Sequence, residues 1–382
     1  MRRKGLAWGL AGMVGMSSGV AGAAATADRP PSPIYQKPFL LQGRASVGGY
    51  MDLEFLAGEG GSTFDQHHFV PFLYAEVSDR VHVASEIEYE HGGEVAGDEE
   101  TDGEIKIEFA TVDLKAADVL NLRAGVILSP LGRLNLFHDA PMLDLTERPL
   151  VDRDVIPTTL SEAGLGFFGQ IFPSEQLVLD YEAYLVNGFD DDAVDTSGVL
   201  QIRNARGSKK QDNNNSRAFV GRFGVSPRLG TEVGVSVHTG DYDREGATNL
   251  TIAALDVRFA SGPVEFLGEG AMARGDYRDA LGAGQTAESS GFYLEGRFHF
   301  LAGALGALPQ SVFTGVARLD YVDRDQTSDG NDQERLTLGV NFRPTEETVL
   351  KNDIFFDRSR AMGATEWGDS GPSYRFSIAT YF

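Results

Sequence analysis

The chain ends on a segment that alternates without a break. In Pro372 to Phe382, Tyr374, Phe376, Ile378, Thr380 and Phe382 fall at every second position, with Arg375, Ser377, Ala379 and Tyr381 between them. Successive side chains of a strand point to opposite faces, so one face of this strand is greasy and the other polar. A terminal strand with an apolar outside and a polar inside is what a barrel in lipid needs for closure. A soluble edge strand can carry the same pattern, so the rest of the chain has to decide between the two.

Residues 1–27 carry a basic start (Arg2, Arg3, Lys4), an apolar Gly/Ala/Met-rich middle and small-residue cleavage options at 21–25. This reads as a secretory signal peptide rather than a membrane span. Its removal takes away three positive charges and no acids, so the formal charge of -23 becomes about -26. No cysteine is present, which suits passage through an oxidising compartment without disulfides. After the signal no run of 18 or more apolar residues occurs, so no helix is expected to span a bilayer. The acidic balance argues against nucleic acid as a partner, because phosphate contacts need clustered Lys and Arg.

Residues 28–41, with Pro30, Pro31, Pro33 and Pro38, form an extended linker on the expected periplasmic side. From 42 to 382 alternating segments recur, at 42–56, 67–77, 81–91, 104–114, 119–129, 164–172, 176–187, 217–226, 231–240, 250–260, 262–272, 290–301, 311–322, 334–344, 347–357 and 372–382. Most come close to the ~9–11 residues of a tilted membrane strand. Short connections such as 78–80, 115–118, 173–175, 227–230, 261 and 345–346 take turns with long ones at 57–66, 92–103, 130–163, 188–216, 241–249, 273–289, 323–333 and 358–371. The link 302–310 fills the remaining short position. This alternation predicts an all-β, transmembrane, antiparallel up-and-down β-barrel of about sixteen strands, with short periplasmic turns and long outer loops.

The faces separate in the same sense. In 290–301, Phe292, Leu294, Phe298 and Phe300 oppose Tyr293, Glu295, Arg297 and His299; in 334–344, Leu336, Leu338, Val340 and Phe342 oppose Arg335, Thr337, Asn341 and Arg343. An Arg or Lys facing lipid costs roughly 2–4 kcal/mol at the midplane, so the charged face is expected inside. Segment 67–77 alternates poorly, and 104–114 slips phase near Ala110, as a bulge would cause. Sixteen strands enclose a channel too wide for side chains to fill, so something must narrow it. The loop from Pro130 to Ala163 fits that role, because Leu131, Leu134, Leu136, Phe137, Met142, Leu143, Leu145, Leu150, Val155 and Ile156 would be poorly solvated in water. Interleaved with them, Arg133, Asp139, Asp144, Glu147, Arg148, Asp152, Arg153 and Asp154 become candidate constriction residues. An outer cap or a subunit-contact loop is the alternative.

Strand layout, long third loop and terminal Phe382 together resemble the porins of Gram-negative outer membranes. Within that group, Gly125 to Gly132 (GVILSPLG) followed by Glu147-Arg148-Pro149-Leu150 is similar to the strand-five exit and third loop of the phosphate-selective porin family. The resemblance implies a sixteen-stranded, commonly trimeric channel that passes small hydrophilic solutes or ions by passive diffusion. It also implies that Tyr374, Phe376, Ile378 and Phe382 act as the C-terminal signal read by the barrel-assembly machinery. Phosphate selectivity in that family rests on an arginine ladder and a lysine cluster, whereas 130–163 contains no Lys and more acids than bases.

Candidate wall charges are Arg123, Arg222, Arg258, Arg297, Arg318, Arg335 and Arg375, facing Glu86, Glu88, Glu90, Glu104, Lys106 and Glu108 on the third and fourth strands. Basic late strands opposite acidic early ones would set a transverse field across the pore; the alternative is that the charges pair with one another. The acidic loop runs Glu94, Asp98, Glu99, Glu100, Asp102 and Asp190, Asp191, Asp192, Asp195 could gather cations that bridge lipopolysaccharide, but neither has an EF-hand order of ligands. His67-His68 has no partners at metal-ligand spacing along the chain, so neither a metal nor another cofactor is expected. No Gly-x-Ser-x-Gly elbow or His-Glu-x-x-His pair occurs, which argues against an enzyme. The expected partners are outer-membrane lipid and lipopolysaccharide, the assembly machinery, small solutes or ions, and further copies of the chain as a homotrimer. A structural or adhesive barrel blocked by its own loop stands as the other reading.

Overall fold

The computed structural model describes residues 45–58, 60–93, 103–195, 197–207, 209–278 and 282–382. The expected signal peptide and linker, and the acidic run at 94–102, lie outside the described residues. The chain forms β1 (Ala45–Gly58), β2 (Gly61–Glu76), β3 (Val81–Glu90), β4 (Glu104–Ala117), β5 (Leu120–Leu128), β6 (Ser161–Ile171), β7 (Val178–Val186) and β8 (Ala218–Arg228). Then come β9 (Thr231–Asp241), β10 (Asn249–Ser261), β11 (Val264–Arg278), β12 (Gly284–Phe300), β13 (Val312–Asp323), β14 (Asp332–Arg343), β15 (Thr348–Ser359) and β16 (Gly368–Tyr381). Each strand pairs with its sequence neighbours, and β1 pairs antiparallel with β16, so the sheet closes into a barrel without an edge.

Phe382 extends the closing ladder by one more step. Beyond the Tyr50↔Tyr381 pair, Phe382 N donates to Gly49 O (2.9 Å) and Gly49 N donates to Phe382 O (3.2 Å). The Phe382 ring stacks on Phe69 at 5.8 Å and 9°. Gly49 permits this approach, because a Cβ there would lie 2.3 Å from Val70 O and 2.8 Å from the Phe382 ring.

Alternation in the sequence becomes a difference in exposure. Leu319, Leu336, Leu338 and Val340 are exposed on the outside, while Arg318, Asp320, Thr337 and Asn341 between them are buried. Phe298, Phe300, Phe313 and Phe342 pack ring to ring beside the short turns, as an interfacial aromatic girdle does. Two connections expected to be long contract to tight ones, because pairing continues to Gly58↔Gly61 between β1 and β2 and to Arg278↔Gly284 between β11 and β12. There the apolar-out, polar-in pattern is lost, since Ala273, Gly275 and Ala287 are buried, Arg274 and Asp276 are exposed, and Phe64 stands exposed among polar neighbours, so the hydropathy signal fades while the backbone ladder persists. The expected phase slip in β4 is a bulge: Phe109 opposes Glu86 and Ile107 opposes Ile87, with Glu108 between. A second bulge precedes the poorly alternating residues 69–74 of β2, which themselves keep a regular register with β1. From Asp52↔His68 to Glu54↔Asp65, β2 uses one residue more than β1.

Candidate functional site: the inner wall and the 129–160 segment

The segment between β5 and β6 leaves at Ser129 and returns at Leu160, and one side chain ties its two legs. Asn135 Nδ2 donates to Ser129 O (2.7 Å) and Leu160 O (3.0 Å), and its Oδ1 accepts from Leu160 N (2.8 Å). Gly132 makes the first bend with φ near 72°, in the left-handed region that glycine favours. Ser236 Oγ accepts from Gly132 N (2.8 Å), and the carboxylate of Glu269 accepts from Arg133 N and Leu134 N (3.2 Å each).

Further along, the segment bonds to strands on other sides of the barrel. His138 contacts Glu108 of β4, and Asp139 Oδ2 accepts from the Tyr381 hydroxyl of β16 (2.8 Å). Lys351 Nζ of β15 donates to Ala140 O (2.8 Å), and Arg343 of β14 donates to Pro141 O (2.8 Å) and Asp144 Oδ1 (2.8 Å). Thr146 N donates to Asp353 Oδ2 (2.6 Å), and Leu150 N to Asp320 Oδ1 (3.0 Å). The apolar residues Leu131, Leu145, Leu150, Val155 and Ile156 are buried. A short helix at 150–154, α1, packs on β11, β12 and β13.

The candidate constriction residues divide into three sets. Arg133 pairs with Glu232 at 3.0 Å. Asp144 holds Arg297 (3.0 Å) and Arg343, and Glu147 holds Arg375 (3.0 Å) and Arg335 (3.8 Å), while Arg318 donates to Glu147 O (2.9 Å). Arg153 pairs with Asp154 (2.9 Å), which also accepts from Arg324 (2.6 Å). Arg148 is half-buried, and Asp152 is fully buried with neither carboxylate oxygen hydrogen-bonded. Burial alone would raise the Asp144 and Glu147 carboxyls; Arg297 and Arg343 in the first case, Arg335 and Arg375 in the second, hold them below the usual range. Asp152 goes the other way. Burial pushes it up to about 8 against the pull of Arg148 and Arg318, with Asp320 and Asp256 adding to the rise.

On the wall, each candidate arginine has a carboxylate beside it. Arg123 meets Asp113 (2.8 Å), Arg222 meets Glu232 (3.2 Å) and Asp256, and Arg258 meets Glu265 (2.6 Å). Arg297 adds Glu295 (2.5 Å) and Glu265 (3.4 Å), Arg318 meets Asp320 (2.9 Å), and Arg335 meets Asp357 (2.7 Å). Late-strand arginines and early-strand acids do occupy different sectors, yet the arginines are already paired where they stand. Glu86, Glu88 and Glu108 are buried, Glu104 is exposed at the start of β4, and Lys106 pairs with Glu88 (2.6 Å) and Glu90 (2.9 Å).

Sequence reading by charge sign passes over Glu265, Glu295 and Asp320, although the alternation that marks Arg297 and Arg318 marks them too. It also misses Asp52 and Glu54, which β1 sets beside His67 and His68. Only strand pairing could have revealed them.

Solved structures share this architecture. The anion-selective porin from Comamonas acidovorans superposes with a TM-score of 0.56 at 12% identity, over 88% of this chain and 99% of that one. The fold is that of the outer-membrane porins. The outer membrane channel DcaP of Acinetobacter baumannii gives 0.56 at 10% identity, over 88% and 97%. Salmonella typhi OmpF, in complex with daunomycin, gives 0.57 at 10% identity, over 90% and 99%. In sequence, an uncharacterised protein of Aquifex aeolicus is 29% identical over 221 residues, which are 57% of this chain and 49% of that protein, so the match spans about half its length. No family model matches the chain.

Proposed function

We propose that this porin-fold chain is a passive diffusion channel of the Gram-negative outer membrane, passing ions and small hydrophilic solutes through a bore narrowed by the 129–160 segment. The observation that carries the reading is the division of the closed barrel into an exposed apolar outer face and a polar, ion-paired inner face. A sixteen-strand barrel is too wide to fill with wall side chains, so water occupies what loops leave open. Inward folding of 129–160 is supported by its partners: a segment bonded to β4, β9, β11, β13, β14, β15 and β16 reaches them all along the shortest route through the interior. Selectivity then depends on which carboxylates and guanidiniums line the remaining gap. Phosphate preference draws no support from 130–163, where arginines are outnumbered by acids and most are ion-paired.

One observation favours a plugged barrel instead. Leu131, Leu150 and Ile156 form a continuous apolar cluster with Phe189 and Ile202 of the 187–217 loop and Leu250 of β10. Swelling of proteoliposomes in sugars of graded size separates the two. Uptake that falls off with sugar size supports the diffusion channel, whereas vesicles that stay osmotically tight around correctly folded protein support the plug.

A further inference from the structure

The early strands gather a set of side chains that the channel reading does not use. Asp52 and Glu54 lie two residues apart on β1 and share its inner face. On β2 the bulge described above turns His67 and His68, neighbours that a regular strand would send to opposite faces, toward these same two carboxylates. His67 Nδ1 stands 3.0 Å from Glu54 Oε1 and 3.5 Å from Asp52 Oδ2, and His68 Nδ1 stands 2.9 Å from Asp52 Oδ1. The two imidazole centroids are 3.7 Å apart. One ligand atom from each of Asp52, His67 and His68 falls within 4.8 Å of the others.

We infer that Asp52, His67 and His68, with Glu54 beside His67, form a binding site for a divalent transition-metal ion on the barrel's inner wall. Zinc bonds of ~2.0–2.1 Å in a tetrahedron set neighbouring ligand atoms about 3.3 Å apart, which the separations above bracket. Two imidazoles with carboxylates suit zinc, copper or nickel ions and not calcium or magnesium, which take oxygen ligands. The surroundings fit as well. A metal on Nδ1 of His68 leaves the ring proton on Nε2, and Glu88 Oε1 lies 3.3 Å from that atom, the carboxylate behind the histidine that orients many metal ligands. Glu88 is fully buried and is itself held by Lys106 at 2.6 Å.

A neighbouring group, His68 with Glu88 and Glu90, also has donor spacing suited to a cation. There the Lys106 ammonium already provides the positive charge. At Asp52 and Glu54 no Lys or Arg lies within ion-pair distance among the described residues; the histidines are their nearest cationic partners, with the Lys351 ammonium acting on both from farther off. Access is from one side, since the His67 side chain is 31% exposed while those of Asp52 and His68 are 2% and 6%.

Isothermal titration of the full chain, folded in detergent and stripped with chelator, with Zn2+ alone tests the site whether or not the barrel conducts. The expected result is one saturable zinc per chain, weakened at least about tenfold in His67→Ala and in Asp52→Asn. His91→Ala, whose Nδ1 faces Asp65 at 2.9 Å, should bind like the unaltered chain. Co2+ bound at the same stoichiometry should show visible bands that His67→Ala abolishes, with far-ultraviolet circular dichroism confirming an intact barrel in each variant. No saturable zinc on the folded chain, or equal affinity in His67→Ala and the unaltered chain, overturns the proposal.

Discussion

Removing the Asp144 carboxylate should loosen the 129–160 segment by a measurable amount. This group is nearly inaccessible, at 4% side-chain exposure, and stands between Arg297 and Arg343, with Asn341 Nδ2 donating at 3.2 Å. Breaking a buried pair costs about 3–5 kcal/mol, because the surviving charge loses its counter-ion. Arg297 keeps Glu265 and Glu295, and Arg343 keeps Pro141 O and is 16% exposed, so solvent and remaining partners place Asp144→Ala at the low end, about 3 kcal/mol. That corresponds to about a hundredfold more of the undocked segment. Trypsin reads this population through cleavage after Arg133 and Arg153, Arg148 being protected by Pro149, provided that redocking is faster than cutting. Asp144→Asn, which also removes the counter-ion but keeps an acceptor for Asn341 and Arg343, should raise the rate too, by less than Asp144→Ala. A change under about threefold for Asp144→Ala in a folded barrel would refute the view that this ion pair clasps the segment.

Replacing Arg297 and Arg318 together by Ala frees Glu295 and Asp320 from their counter-ions and leaves Glu265 paired with Arg258, so the reversal potential in a salt gradient should move toward cation preference; no movement argues against wall charge as the source of selectivity. Deleting Phe382 removes two hydrogen bonds to Gly49 and the stack on Phe69, worth about 2–4 kcal/mol together, and should lower thermal stability and refolding yield; unchanged melting would show that closure does not need it. Asp152 sets a pH dependence. Its folded pKa of about 8 lies above the ordinary 3.8, so its contribution is flat below about pH 4, falls as pH rises to about 8 and is flat again above. Melting temperatures of the unaltered chain should therefore decline across that window, and Asp152→Asn should flatten the decline; equal slopes would contradict the assignment.

The strands were legible because one rule, alternate residues to alternate faces, holds over nearly the whole chain. Leu336 to Val340 announce their outward side and Arg335 to Asn341 their inward one before any coordinates are known. The same rule fails where the exposed residues are polar and the buried ones small, as with Arg274 and Asp276 against Ala273 and Gly275, which is why the β1–β2 and β11–β12 hairpins run longer than their hydropathy suggests. The β4 bulge was visible only as blurred phase near Ala110, and nothing in the sequence revealed which side chains it or the β2 bulge redirects. Partner choice was less legible still. That Lys351 would hold Ala140 O, that Glu269 would receive Arg133 N, or that Asp52 would meet His68 depends on register between strands distant in sequence. Charge sign along the chain located the arginines of the late strands, but not the carboxylates that neutralise them.

The central claim is a water-filled bore inside a lipid-facing cylinder, and single-channel recording from a planar bilayer tests it most directly. Purified, folded chain should produce stepwise, ohmic openings whose conductance rises with salt concentration. A bilayer that stays silent while the inserted protein retains its barrel would contradict the account and leave a plugged scaffold in its place.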